Sequence, residues 1–90
     1  MARVKEWTQT EVITVEEEIR KLVLYNDDVN TFDWVIQCLI EVCEHTEEQA
    51  TQCAWLVHYK GKYPVLSGSY QYLEPRHNAL ADRGLSVNIE

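Results

Sequence analysis

Lys21-Leu22-Val23-Leu24-Tyr25-Asn26-Asp27-Asp28 is a run of strand formers that stops on three turn-forming polar residues. Branched and aromatic side chains suit an extended, half-buried segment. Asn and Asp side chains bond the amides that follow them, so the run reads as a strand and then a turn. Asn30 or Thr31 then supplies a helix cap, with Asp33 in the positive first turn. Phe32, Val35, Ile36, Leu39, Ile40 and Cys43 recur at spacings of three and four, which gives a helix one buried face. Trp34, Cys38 and Val42 are apolar as well, so this helix is expected to be covered on more than one side.

Working outward, Thr46-Glu47-Glu48-Gln49 is a capping box, which satisfies two orphan amides at the start of a second helix. Ala50, Cys53, Ala54 and Val57 make a narrow stripe of mostly small residues that lets two helices approach closely, and Gly61 stops the helix. Tyr63 to Tyr70 is a second extended stretch, broken by Pro64 and by a Ser67-Gly68-Ser69 bend. Pro75 is expected in the first turn of a third helix that runs to about Arg83, with Gly84 as its stop. Leu85, Val87 and Ile89 alternate with Ser86, Asn88 and Glu90 as a final half-exposed strand. The order β-α-α-β-α-β predicts an α+β fold: a three-stranded antiparallel sheet with three helices packed on one face. Residues 1–20 are charged and lack a clean period, so a flexible N-terminal arm is expected there, ahead of a single folded domain over 21–90. A strand within Glu11–Val15 is the alternative.

The chain has 90 residues, one domain's worth, and 46% of them are apolar. Fifteen acidic against eight basic residues give a net charge of −7, which argues against nucleic acid and against anionic membrane, since both need a basic face. No apolar run approaches the ~18–20 residues of a membrane span, and no signal-peptide segment is read at the start. Three cysteines (Cys38, Cys43, Cys53) is an odd number without a CxxC, so a reducing cytoplasmic setting is expected. The cysteines fall on helix interiors, no G-x-S-x-G and no Gly-rich phosphate loop occurs, and Cys43, His45 and Cys53 lack tight metal-ligand spacing. No catalytic residue, no metal site and no cofactor is therefore assigned.

Leu24-Tyr25-Asn26-Asp27-Asp28, then Glu47-Glu48-Gln49-Ala50-Thr51-Gln52, then Val57-His58-Tyr59-Lys60-Gly61-Lys62 together resemble the ClpS family, adaptors that deliver N-degron substrates to Clp AAA+ unfoldases. The resemblance is continuous from about Leu22 to Lys62, thins over 63–84 and returns weakly at Leu85–Ile89. It implies a sheet covered by three helices and a site for the first residue of a protein chain. By position, Asn26, Asp27 and His58 would hold the free α-amino group. Asp28, Asn30, Phe32, Val35, Ala54, Val57 and Leu85 would line the pocket for a Leu, Phe, Tyr or Trp side chain. Implied partners are N-degron proteins and peptides and a ClpA- or ClpC-like unfoldase. Docking on the unfoldase would use charged residues within 70–84, with Glu74 and either Arg76 or His77 as candidates. Asn30 stands where the family commonly has Thr, and Phe32 and Ala54 stand where it has Met. A second reading, motivated by those three changes, keeps the unfoldase docking but not the N-terminal selectivity.

The chemistry such a site needs is independent of the family. An ammonium offers three donors and no acceptor, so it is read by a carboxylate for charge together with an amide oxygen and a neutral ring nitrogen. Hydrogen bonds to a charged group contribute roughly 1.5–3 kcal/mol each. Burial of a Leu or Phe side chain adds about 1.5–3 kcal/mol. After the loss of freedom on binding, a micromolar affinity is the expected scale, and neither half reaches it alone. A second substituent on Cβ is stiff, so Ile and Val are expected to be excluded at the rim.

Overall fold

β1, Arg20–Tyr25, is the middle strand of the sheet, and its Leu22, Val23 and Leu24 are all buried. Neighbouring strand side chains point to opposite faces, so Leu22 and Leu24 enter the core beneath the helices while Val23 is enclosed on the other side. In this computed structural model the described residues are 18–90, so the expected strand at Glu11–Val15 and most of the expected arm lie outside them. Arg20, counted with the arm from sequence, is strand and pairs with Gly68.

The remaining elements are α1 (Phe32–Cys43), α2 (Glu47–Lys60), β2 (Lys62–Gly68), α3 (Tyr70–Asp82) and β3 (Ser86–Ile89). The sheet order is β2-β1-β3, with both pairings antiparallel. This is the β-α-α-β-α-β order and sheet that the sequence predicts. The core gathers Leu22 and Leu24 of the sheet with Cys38, Leu39 and Cys43 of α1, Ala50 and Val57 of α2, and Leu73 and Leu80 of α3. Cys38 is fully buried, and Val35, Ile36, Ile40 and Val42 are half-buried around it.

Thr31 caps α1, its hydroxyl accepting from the Trp34 amide at 3.1 Å. The capping box at Thr46 forms on both sides: Thr46 Oγ1 accepts from the Gln49 amide at 3.1 Å, and Gln49 Oε1 accepts from the Thr46 amide at 3.0 Å. β2 does not break at Pro64. It takes one extra residue instead, pairing Leu22 with Leu66 but Val23 with Pro64. β2 is an edge strand, where a proline leaves no sheet partner wanting. The skipped residue, Val65, has its carbonyl 2.8 Å from His45 Nε2. A carbonyl only accepts, so the imidazole carries its proton on Nε2 there.

α3 departs from the sequence expectation. Its cap is Ser69, whose hydroxyl accepts from the Tyr72 amide at 3.2 Å, and Pro75 sits inside the helix rather than in its first turn. The two tyrosines and Leu73 ahead of Pro75 are therefore helical, and Leu73 is fully buried. No helix among the described residues is long and apolar enough to cross a membrane.

Candidate functional site

The end of β1 and the end of α2 meet beside the sheet. The Asn26 amide, just past β1, donates to the Gly61 carbonyl at 2.9 Å. Gly61 closes α2 with φ at 88°, its own amide donating to Val57 O at 2.8 Å. A left-handed residue with a side chain would carry about 1–2 kcal/mol of strain there. His58 lies in the last turn of α2. The tie through Gly61 therefore brings it beside Asn26, although 32 residues separate the two in sequence.

The turn after Asn26 is organised by Asp27. Its Oδ1 accepts from the Val29 and Asn30 amides, both at 2.9 Å, and its Oδ2 accepts from Asn30 Nδ2 at 2.9 Å. The Asn30 amide above all, with the Asn30 side chain and the Val29 amide, holds the Asp27 carboxyl below its ordinary range, against the opposing effect of desolvation. A carboxylate has about four acceptor positions. Asp27 thus keeps its charge and one free position on Oδ2. Asn30 Nδ2 also donates to Gly84 O at 2.9 Å. Since both of its acceptors are unambiguous, the Asn30 amide has a fixed orientation. It joins the turn to the residue just ahead of Leu85. Trp34 Nε1 donates to Arg83 O at 3.1 Å and adds a second tie from the start of α1 to the end of α3.

These connections enclose a cavity of about 270 Å³. Its polar side is Asn26, Asp27, Asp28, Asn30 and His58, and its apolar side is Phe32, Val35, Ala54, Val57 and Leu85. All ten side chains singled out from the sequence are on its wall. Leu24 and Tyr25, not assigned from sequence, line it too. Their signal was their place as the last two residues of β1, directly before Asn26. Leu85 is at once a buried core residue and a wall of the cavity. Among the described residues, neither the Asn26 side-chain amide nor the His58 imidazole has a hydrogen-bond partner in the chain, and both are exposed. The cavity is smaller than the about 300–1,000 Å³ usual for larger ligands. Its lining combines two carboxylates, Asp27 and Asp28, with the unpaired polar groups of Asn26 and His58.

The thiols lie elsewhere. Burial pushes the Cys43 thiol up to about 11 and raises Cys38 and Cys53 as well, so all three are held protonated. Among the described residues no three His, Cys, Asp or Glu side chains gather as a metal site. In the 70–84 segment Glu74 is exposed, the Arg76 guanidinium lies 3.9 Å from the centre of the Tyr72 ring, and His77 Nδ1 is 3.0 Å from Asn78 Oδ1.

Asn30 gives a local test of this arrangement. Removing its side chain leaves Gly84 O and Asp27 Oδ2 without their partner, so Asn30→Ala is expected to cost about 1–3 kcal/mol in urea unfolding. Thr has one hydroxyl donor and restores at most one of the two bonds. Asn30→Thr should fall between wild type and Asn30→Ala.

Residues 15–88 match the family described as ATP-dependent Clp protease adaptor protein ClpS. An adapter ClpS of Thermosynechococcus vestitus is 34% identical over 68 residues, 74% of this chain and 72% of that one. The Acetivibrio thermocellus adapter is 39% identical over 64 residues, 71% of this chain and 63% of its own length. The Nitratidesulfovibrio vulgaris adapter is 39% identical over 54 residues, and the chain spans about half of it, 54%. The structure of Agrobacterium tumefaciens ClpS2 bound to L-phenylalaninamide superimposes with a TM-score of 0.80 at 21% identity, covering 83% of this chain and 98% of that one, and shares the fold.

Proposed function

This chain belongs to the ClpS family of Clp protease adaptors, and we propose that it binds the free first residue of N-degron substrates, Leu, Phe, Tyr or Trp, and delivers them to a ClpA- or ClpC-like AAA+ unfoldase. One observation supports the reading: Asn26, Asp27 and His58 line the same cavity as the apolar Phe32, Val35, Ala54, Val57 and Leu85. Asn26 and His58 offer their free acceptors to the ammonium, and Asp27, already engaged by its own turn, contributes its charge and one remaining lone-pair position. The side chain of the bound residue fills the space among Phe32, Val35, Ala54, Val57 and Leu85, with Asp28 and Asn30 at its polar edge. The phenylalaninamide bound by the A. tumefaciens protein is a free-amine aromatic residue of this kind. In this reading the protein is an adaptor and carries no protease chemistry of its own.

Docking on the unfoldase is assigned to the charged face of 70–84, around Glu74 with Arg76 or His77. The test of the whole reading is a fluorescence titration with twenty peptides that differ only in residue one. Leu, Phe, Tyr and Trp are expected to bind near micromolar strength, with Ile, Val and the acidic residues at least tenfold weaker. Indifference to the first residue would leave the second reading, an unfoldase-docking module without N-terminal selectivity.

A further inference from the structure

Four rings run outward from the cavity mouth in unbroken contact. Trp55, His58 and Tyr59 are spaced i, i+3 and i+4 on α2, so they share one face of it. Phe32 of α1 meets Trp55 edge-on at 4.8 Å between centroids. Trp55 stacks on Tyr59 at 5.4 Å with 19° between the planes. His58 lies 6.2 Å from Trp55 and 5.7 Å from Tyr59. Phe32 and His58 line the cavity, whereas Trp55 and Tyr59 do not. They stay open to solvent instead, at 46% and 75% exposure, and neither belongs to the core. Single exposed apolar residues need no explanation, but a contiguous aromatic patch that shares two walls with a cavity does.

We propose that Trp55 and Tyr59 form a shelf for the third residue of the same chain whose first residue fills the cavity, and that the shelf favours an aromatic side chain there. This deepens the function proposed above and rests on it. In an extended chain the first and third side chains point the same way, about 7 Å apart. A step of that size from the rim at Phe32 reaches the stacked pair. Aromatic rings gain most from offset or edge-on partners, and the stacked Trp55–Tyr59 pair is open to solvent with Phe32 edge-on to Trp55 and His58 edge-on to both. Phe32, braced by Trp55, also makes a stiffer rim than an unbraced side chain would, which couples shelf and cavity.

The test is calorimetric titration with three free-amine peptides beginning Leu-Ala-Ala, Leu-Ala-Trp and Leu-Trp-Ala, each also N-acetylated. Leu-Ala-Trp is expected to bind about fivefold tighter than Leu-Ala-Ala in the wild type. In Tyr59→Ala and in Trp55→Ala the ratio should fall to twofold or less. Tyr59 is the more exposed of the two and is the safer variant if Trp55→Ala loosens Phe32. Equal binding of Leu-Ala-Ala and Leu-Ala-Trp, or a preference that survives both substitutions, would overturn the shelf. A gain for Leu-Trp-Ala alone would overturn the assignment to the third residue. If Leu-Ala-Ala binds only with a free amine, the underlying function stands whatever the shelf does. If acetylation changes nothing, that function is what has failed.

Discussion

N-acetylation of a peptide that begins with Leu or Phe is expected to weaken its binding at least tenfold. The modification turns an ammonium with three donors into an amide with one. In the proposed site it removes the positive charge that Asp27 would face and adds a methyl and a carbonyl beside Asn26 and His58, which line the same cavity. Each charge-assisted bond lost is worth roughly 1.5–3 kcal/mol, and tenfold corresponds to about 1.4 kcal/mol, so a tenfold loss is a lower bound. The apolar half of the site is untouched by the change. The experiment therefore isolates the contribution of the polar mouth from that of side-chain burial.

Asp27 is expected to be the most costly single residue to remove, because two roles meet in it. Asp27→Ala strips the Val29 amide, the Asn30 amide and the Asn30 side chain of their acceptor. For a partly exposed turn this is expected to cost about 1–3 kcal/mol of stability in addition to weaker peptide binding. Asp27→Asn separates the roles. Its oxygen can still accept from the two backbone amides, while the charge is gone and its amide nitrogen now faces the Asn30 amide nitrogen, donor against donor. Binding of a free-amine peptide should fall about fivefold or more with the stability between that of wild type and Asp27→Ala, and Asn26→Ala should cost less binding than Asp27→Ala. An Asp27→Asn protein that binds like the wild type would reduce Asp27 to a turn residue. The pH dependence has a definite sign. The folded-state carboxyl lies below its ordinary value of 3.8. Its contribution to stability is therefore fully present above about pH 4–5 and is lost as the pH falls through the depressed folded value. Wild type and Asp27→Ala should converge in stability in acid.

The lining of the cavity was more legible than some of the scaffold around it. The strand ending in Asn26-Asp27-Asp28, the capping box at Thr46 and the stop at Gly61 are local signals with local causes, and each appears where its residues stand. The Asn26–Gly61 hydrogen bond that brings His58 to the turn is not local, and only the family resemblance connected those positions from sequence. From sequence, Asn30 and Thr31 both suit the helix cap. Thr31 took that role, which left the Asn30 amide free to join Asp27 to Gly84. Pro75 misled because proline most often opens helices. Here Ser69 supplies a cap and Leu73 a fully buried anchor, so the helix begins earlier and carries the proline in its interior. β2 likewise absorbs Pro64 by adding a residue at the sheet edge. The aromatic shelf could not be read from α2 alone, since the ring that joins it to the cavity comes from α1.

The most direct measurement is a backbone amide shift map of the labelled protein titrated with one peptide that begins with Phe, free and then N-acetylated. With the free peptide, the largest changes should fall on Asn26, Asp27, Val57, His58 and Leu85, and they should vanish or shrink at least tenfold at equal concentration of the acetylated form. Changes centred away from the end of β1 and the last turn of α2, or identical maps for the two peptides, would contradict the claim that these residues hold a protonated chain start.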